Sequence, residues 1–272
     1  MKLIQQNVEL IEQPSYDLDG CYKMIEQAAR VCYASEASSV TAEEFVQRLI
    51  KSKHLTPLEF GTVYLKYNIA ENPFDVPNVV WFQLNKHSVV EHSEDNINYY
   101  VTTNFRVLIE RGMPIDNYKF VEPDWNFHKK RLTFKFTTSI GIARELNRYR
   151  THSICEQSTR YCNFSKDKFG NELTFIKPYW LADESYSSKI FKNNLLQAEE
   201  DYLRLIEEGC KPQEARDVLP LATRSILMHC AYEDDWKHFL DQRYYEKTGK
   251  AHPDCKELAQ KVYEIYFLPR CS

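Results

Sequence analysis

Residues 144–165 read RELNRYRTHSICEQSTRYCNFS. The stretch holds Arg144, Arg148, Arg150 and Arg160, the carboxylates Glu145 and Glu156, and the hydroxyls of Thr151, Ser153, Ser158 and Thr159. A helix face that meets only water would mix lysine with arginine and would not gather so many short hydroxyl residues. Guanidinium forks beside hydroxyls present paired donors in fixed geometry, which suits phosphates and planar carbonyl edges. Ile142, Ala143 and Leu146 lie at helical spacing, with Arg144 and Arg148 one turn apart. The spacing predicts a helix over about 139–150 that leaves as a loop near Thr151.

Outward from this stretch, 8–13, 61–70, 131–139 and 172–178 read as strands. Val63, Leu65, Tyr67 and Ile69 alternate in one, and Leu132, Phe134 and Phe136 in another. The pattern suggests that 131–139 pairs with 61–70 as the far arm of a hairpin. Helices are expected at 17–33, from Thr41 with a capping box to Glu44, and at 184–208 with Gly209 as the left-handed cap. Further helices are expected from Pro212 to Pro220 and at 222–231, 234–247 and 254–267. Residues 54–60, HLTPLEF, read as a turn broken by Pro57. Residues 71–130, rich in proline and aromatics, look like an insertion with short elements near 79–84 and 99–109. The expected fold is one α+β (α/β) domain over 1–272. It has a central antiparallel-rich sheet flanked by helices and a helical C-terminal half.

The net charge of -4 gives no general field for nucleic acid, although a local basic site remains possible. No apolar run reaches membrane-span length, and MKLIQQNVEL lacks a signal-peptide core, so a cytoplasmic protein is expected. Eight cysteines show no CxxC pair and no zinc-ligand spacing, so most should be reduced and buried, and no metal is expected. Only seven glycines are present, and neither GxGxxG nor a P-loop occurs. Side chains would have to supply most donors to a phosphate.

Arg148-Tyr149-Arg150, seven intervening residues, then Ser158 resembles the Arg-His-Arg signature of the flavin-dependent thymidylate synthases. HLTPLE at 54–59, AARVCY at 28–33, EARDVLP at 214–220 and HFLDQR at 238–243 resemble further segments of that family, in the right order. The resemblance implies reductive methylation of dUMP to dTMP with FAD, methylene-tetrahydrofolate and NADPH, in a homotetramer whose subunits share active sites. No cysteine attacks the uracil in that chemistry, so Cys155 and Cys162 are expected to be bystanders.

For dUMP the resemblance implies Ser158, Thr159, Arg160 and Arg216 near the phosphate or sugar, with Glu145, Arg148, Glu156 and Gln157 as further contacts. Arg243, matched to the family's late arginine, would sit at the uracil edge as the catalytic cation. For FAD it implies Thr56, Glu59, Arg148, Arg150, Glu156 and His238, with Tyr149 and the stretch Tyr232, Glu233 and Asp234 also matched. Tyr149 stands where the family usually has His, and Glu145 where Gln is usual. These departures motivate an alternative, hydroxymethylation of dUMP or dCMP. A non-catalytic nucleotide-binding protein is a further one. Taken without the resemblance, Arg148 and Arg150 fit a surface ion network with Glu145 and Glu156 about as well, and Arg243 fits a helix C-terminus better.

Overall fold

The computed structural model describes residues 1–35, 39–166, 170–182 and 185–268. In chain order these give β1 (Lys2–Ile4), β2 (Asn7–Ile11), α1 (Leu18–Tyr33), α2 (Ala42–Lys51), β3 (Thr62–Asn68), α3 (Val76–Leu84), β4 (Val89–His92), β5 (Asn98–Asn104) and α4 (Phe105–Arg111). Then follow β6 (Arg131–Ser139), α5 (Ile140–Leu146), β7 (Ser153–Glu156), β8 (Thr174–Ile176), α6 (Tyr186–Glu207), α7 (Pro212–Ala215), β9 (Arg224–Tyr232), α8 (Glu233–Arg243) and α9 (Pro253–Val262). The fold is mixed α+β. A four-stranded antiparallel sheet, β2-β6-β9-β7, lies beside a three-stranded antiparallel sheet, β3-β5-β4, and β1 pairs with β8 in parallel.

Helix α1 explains how the two larger sheets share one core. Asp17 accepts the Gly20 amide at its N-terminus. Gly20 is needed there, because a Cβ would lie 2.0 Å from the Ser15 carbonyl oxygen. One face of α1, with Cys21, Tyr22, Ile25 and Ala29, packs among side chains of β3, β5 and α2. The adjoining face, with Met24 and Ala28, packs on Cys155, Met228 and Cys230 of β7 and β9. The other side of the four-stranded sheet carries Leu132, Phe134, Phe136 and Leu227 beneath Ile142, Leu146, Trp236, Phe239 and Leu258 of α5, α8 and α9. The sheet is thus covered on both faces.

That double burial accounts for one wrong expectation. Residues 222–231 are not a helix; most of them form β9, paired to β6 and β7. A strand buried on both faces reads as a continuous apolar run, SILMHCA, and loses the alternation that marks a half-exposed strand. The C-terminal half is therefore helical only around this strand.

The expected hairpin is also absent. β3 pairs with β5, and β6 pairs with β2 and β9, because alternation fixes which face is buried but does not choose the partner. Residues 71–130, read as an insertion, supply α3, β4, β5 and α4, and so complete the sheet begun by β3.

Other readings match. The Thr41/Glu44 capping box closes α2, and Gly209 takes φ +93° just beyond α6. The helix expected over 139–150 starts on the Ser139 cap but ends at Leu146, and the expected loop after it contains β7. Cys21, Cys155, Cys162, Cys230 and Cys255 are buried, Cys32 and Cys210 are half-buried, and no disulfide joins them. Cys271 lies outside the described residues. Among those residues no helix is long and apolar enough to cross a membrane.

Candidate functional site

The register of β6 against β9 sets the site. Ser139 lies opposite Arg224 and Arg131 opposite Tyr232, so α5 and α8 leave opposite ends of adjacent strands. They run toward each other over one face and meet at Glu145, Tyr149 and Arg243. The Arg243 guanidinium lies 3.4 Å from Glu145 and 5.8 Å from the centre of the Tyr149 ring. Its Nε is buried without a hydrogen-bond partner. Burial works against the Arg243 charge, but Cys255, Tyr149 and Glu145 outweigh it and hold its pKa above the ordinary value. Burial raises the Tyr149 phenol, against the pull of Arg243. The Tyr149 hydroxyl donates to Gln242 Oε1 at 3.0 Å, and Gln242 Nε2 lies 2.9 Å from His238 Nε2. Glu145 also borders a cleft of about 370 Å³ walled by Trp180, Leu221 and His252.

A second group forms along β7 and its exit. Glu156 is held from both sides: Asn147 Nδ2 donates to one carboxylate oxygen at 2.7 Å, and Ser225 Oγ to the other at 2.8 Å. Gln157 continues the pairing with β9 through its amide to the Ile226 carbonyl, and its buried Oε1 has no partner. The Ser158 amide donates to the Cys32 carbonyl at 2.9 Å, which ties this exit to the end of α1. Arg216 Nη1 reaches Thr159 Oγ1 at 3.4 Å. Arg160 is exposed and lies over the Tyr161 ring. Arg224, at the start of β9, is largely buried with a partnerless Nε, and its pKa is lowered by that burial.

Arg148 and Arg150 are exposed, on either side of the inward-facing Tyr149, and form no ion pair among the described residues. The surface network that their spacing allowed is not formed: Glu145 is paired with Arg243, and Glu156 is held by Asn147 and Ser225. Thr56 is exposed at the start of a 3-10 turn, Thr56–Phe60, that packs against β7. Glu59 in that turn is engaged by Arg106 at 2.7 Å. The sequence-predicted stretch at 232–234 lies apart from Arg243. Tyr232 donates to the carbonyls of Thr102 and His87. Glu233 and Asp234 occupy the first turn of α8, where Lys237 pairs with both. A helix rises about 1.5 Å per residue, which puts them roughly 14 Å along α8 from Arg243.

Sequence reasoning missed Asn147, Ser225, Gln242 and Arg224. Asn147 and Gln242 each adjoin an arginine already singled out, which was the available signal. Ser225 and Arg224 were hidden by the misread strand. Arg243, Arg224, Gln157 and Asn147 each keep a buried polar atom without a partner, and Arg148, Arg150 and Arg160 are exposed; donors and acceptors of this kind suit anionic, planar, hydrogen-bonding groups.

A family model described as "Thymidylate synthase complementing protein" matches residues 15–131 and 126–267. The chain belongs to that family. A "Probable flavin-dependent thymidylate synthase" of Paramecium bursaria Chlorella virus 1 is 25% identical over 150 residues, 50% of this chain and 69% of that protein. A flavin-dependent thymidylate synthase of Synechocystis sp. is 26% identical over 155 residues, 54% of this chain and 72% of that protein. For the Haloarcula marismortui enzyme of the same name the figures are 26% over 149 residues, 46% and 59%, so the chain spans about three fifths of that relative. A solved structure of the UMP/dUMP methylase PolB from Streptomyces cacaoi, bound with 5-Br UMP, covers 98% of this chain and 91% of its own at 19% identity and TM-score 0.47.

Proposed function

We propose that this protein is a flavin-dependent thymidylate synthase, which methylates dUMP to dTMP with FAD, methylene-tetrahydrofolate and NADPH. The observation that carries this reading is Arg243: a half-buried guanidinium with a partnerless Nε, braced by Glu145 and Tyr149. Arg243 would donate to the O4/N3 edge of the uracil, stabilise negative charge spreading there and so make C5 more nucleophilic. Glu145 and Tyr149 orient the guanidinium. Ser158, Thr159, Arg160 and Arg216 would hold the phosphate and sugar, and the clamped Glu156 would accept from a ligand hydroxyl or ring N–H.

Arg148 and Arg150, turned outward from Tyr149, would hold the flavin, with Thr56, Glu59 and His238 as further contacts. Bound FAD supplies the two reducing equivalents that convert a transferred methylene to a methyl group. Their outward direction also suits a site closed by another subunit, as a homotetramer with shared active sites would provide.

The test is the absorbance spectrum of the purified protein, followed by tritium release from C5-labelled dUMP. A flavin spectrum that bleaches with NADPH, and a product heavier than dUMP by one CH2, are expected. A colourless protein that takes up no added FAD refutes the proposal. A product carrying one further oxygen would instead establish the hydroxymethylating alternative, which the Glu145 carboxylate motivates.

A further inference from the structure

β2 ends at Ile11 and α1 begins at Leu18. Between this connection and the first residues of β3 and β6 lies a cavity of about 280 Å³, faced by Gln13, Tyr16, Tyr64, Trp125, Lys130 and Arg131. It is apart from both groups described above. The Cys32–Ser158 contact lies at the C-terminal end of α1, and this helix of sixteen residues is about 24 Å long. Arg131 and Thr133 alternate with Leu132 and Phe134 along β6, so they point away from the sheet face that α5 and α8 cover.

Charge and rings together define what the cavity can take. Arg131 Nη1 donates to Thr62 Oγ1 at 3.2 Å, and Nη2 to the Glu59 carbonyl at 3.0 Å. Both partners are neutral, and the Glu59 carboxylate is itself taken by Arg106 at 2.7 Å. A guanidinium carries five N–H donors, so Arg131 keeps capacity for another acceptor. Lys130 Nζ lies 5.4 Å from the Trp125 ring centre and 5.9 Å from that of Tyr266. Among the described residues neither cation forms an ion pair. Two cations against one exposed carboxylate, Glu12, leave the lining with one net positive charge. Half-buried charge with only neutral partners is costly, and a bound monoanion would neutralise it. Tyr16, Tyr64 and Trp125 meet edge to face, with centres 5.2, 5.7 and 6.3 Å apart and planes 82–85° from one another. Such a corner offers a flat ring one face and two edges. Trp125, 48% exposed, is available to a ligand from outside.

We infer that this cavity is a binding site for a small aromatic carboxylate. The carboxylate accepts from the Arg131 fork, with Lys130 beside it, and the ring enters the corner of Tyr16, Tyr64 and Trp125. The volume is near the lower end of small-molecule sites, which run from about 300 Å³ upward. It has room for one or two fused rings and none for a dinucleotide. The site stands whether or not the proposed function does.

The purified full chain is titrated calorimetrically with salicylate, indole-3-carboxylate and 1-naphthoate, with FAD and dUMP added in excess. At least one acid should bind one to one with Kd below about 1 mM. Arg131→Gln should weaken it at least about tenfold, and so should replacing the acid by its neutral amide. Trp125→Ala should weaken it about fivefold. Absence of binding by all three acids overturns the proposal. So does binding that FAD or dUMP displaces, binding that neither substitution changes, or inorganic phosphate binding as tightly as the acids. Should Arg131→Gln fail to fold, the exposed Trp125→Ala and the acid–amide comparison on the unsubstituted protein still decide.

Discussion

Truncating Arg243 to alanine separates what this side chain contributes to the fold from what it contributes to a ligand. Its contact with Glu145 is 3.4 Å, with the two side chains 21% and 34% exposed. A screened pair of that kind contributes about 0–1 kcal/mol. The guanidinium over Tyr149 adds about 0.5–1 kcal/mol. The fold should therefore lose roughly 1–2 kcal/mol, a fall in melting temperature of about 2–8 °C for a chain of this size. The ligand side is larger. A hydrogen bond to a charged group is worth about 1.5–3 kcal/mol, and a guanidinium on a pyrimidine edge makes up to two. Turnover should fall by about 10²- to 10⁴-fold. Flavin content should stay near that of the parent protein, because the proposed partner of Arg243 is the uracil. Three measurements on one preparation decide: bound flavin per chain, tritium release from C5-labelled dUMP, and the melting temperature. Parallel loss of flavin and turnover would remove Arg243 from the catalytic role, and so would a loss of turnover below about fivefold.

Two further outcomes are expected. His152 Nδ1 and His229 Nδ1 lie 3.3 Å apart in the core, and each has a buried Nε2 without a partner. Burial lowers His152 to about 4 and His229 well below its ordinary value. Both are neutral in the fold, so as pH falls below about 6.5 the unfolded chain binds protons that the fold cannot. Stability is full above about pH 6.5 and is lost as pH falls toward 4, by about 3 kcal/mol for His152 alone. Urea midpoints measured between about pH 7.5 and 5 should fall accordingly, and a flat profile would refute the buried neutral pair. Gly20→Ala should destabilise by about 1–3 kcal/mol, because the new methyl group would meet the Ser15 carbonyl oxygen at 2.0 Å. An unchanged melting temperature would show that this turn yields.

What the sequence disclosed follows the range of the forces involved. The Thr41/Glu44 capping box and the Gly209 cap are local, set by residues within a turn or two, and both are found where the sequence places them. Strand partners are not local. Val63 and Leu65 alternate as clearly as Leu132 and Phe134, yet nothing in either run says that β5 and not β6 lies beside β3. The site divides along the same line. Arg148, Glu156, Ser158 and Arg243 stand out as residue types in a pattern. Asn147, Ser225 and Gln242 matter only because folding aims them at Glu156 and Tyr149. Tyr149 looked like a ligand contact by position, but the fold turns it inward to pack on Phe239 at 5.0 Å. That leaves its arginine neighbours to face outward.

The strand that sequence reading lost is the one that makes the site geometric. β6 and β9 each have nine residues, a span of about 30 Å. From opposite ends of this ladder spring α5, of seven residues, and α8, of eleven, with lengths of about 10 and 16 Å. Laid head to head over one face, the two helices nearly fill the ladder, so their C-terminal ends must meet. Their meeting point is Glu145, Tyr149 and Arg243. A slip of two residues in the β6–β9 register keeps every core side chain on its own face, but it moves one helix by about 7 Å relative to the other. A contact of 3.4 Å between Glu145 and Arg243 would not survive that shift. The position of the cation is therefore set by backbone pairing between two strands that contribute none of the three residues themselves.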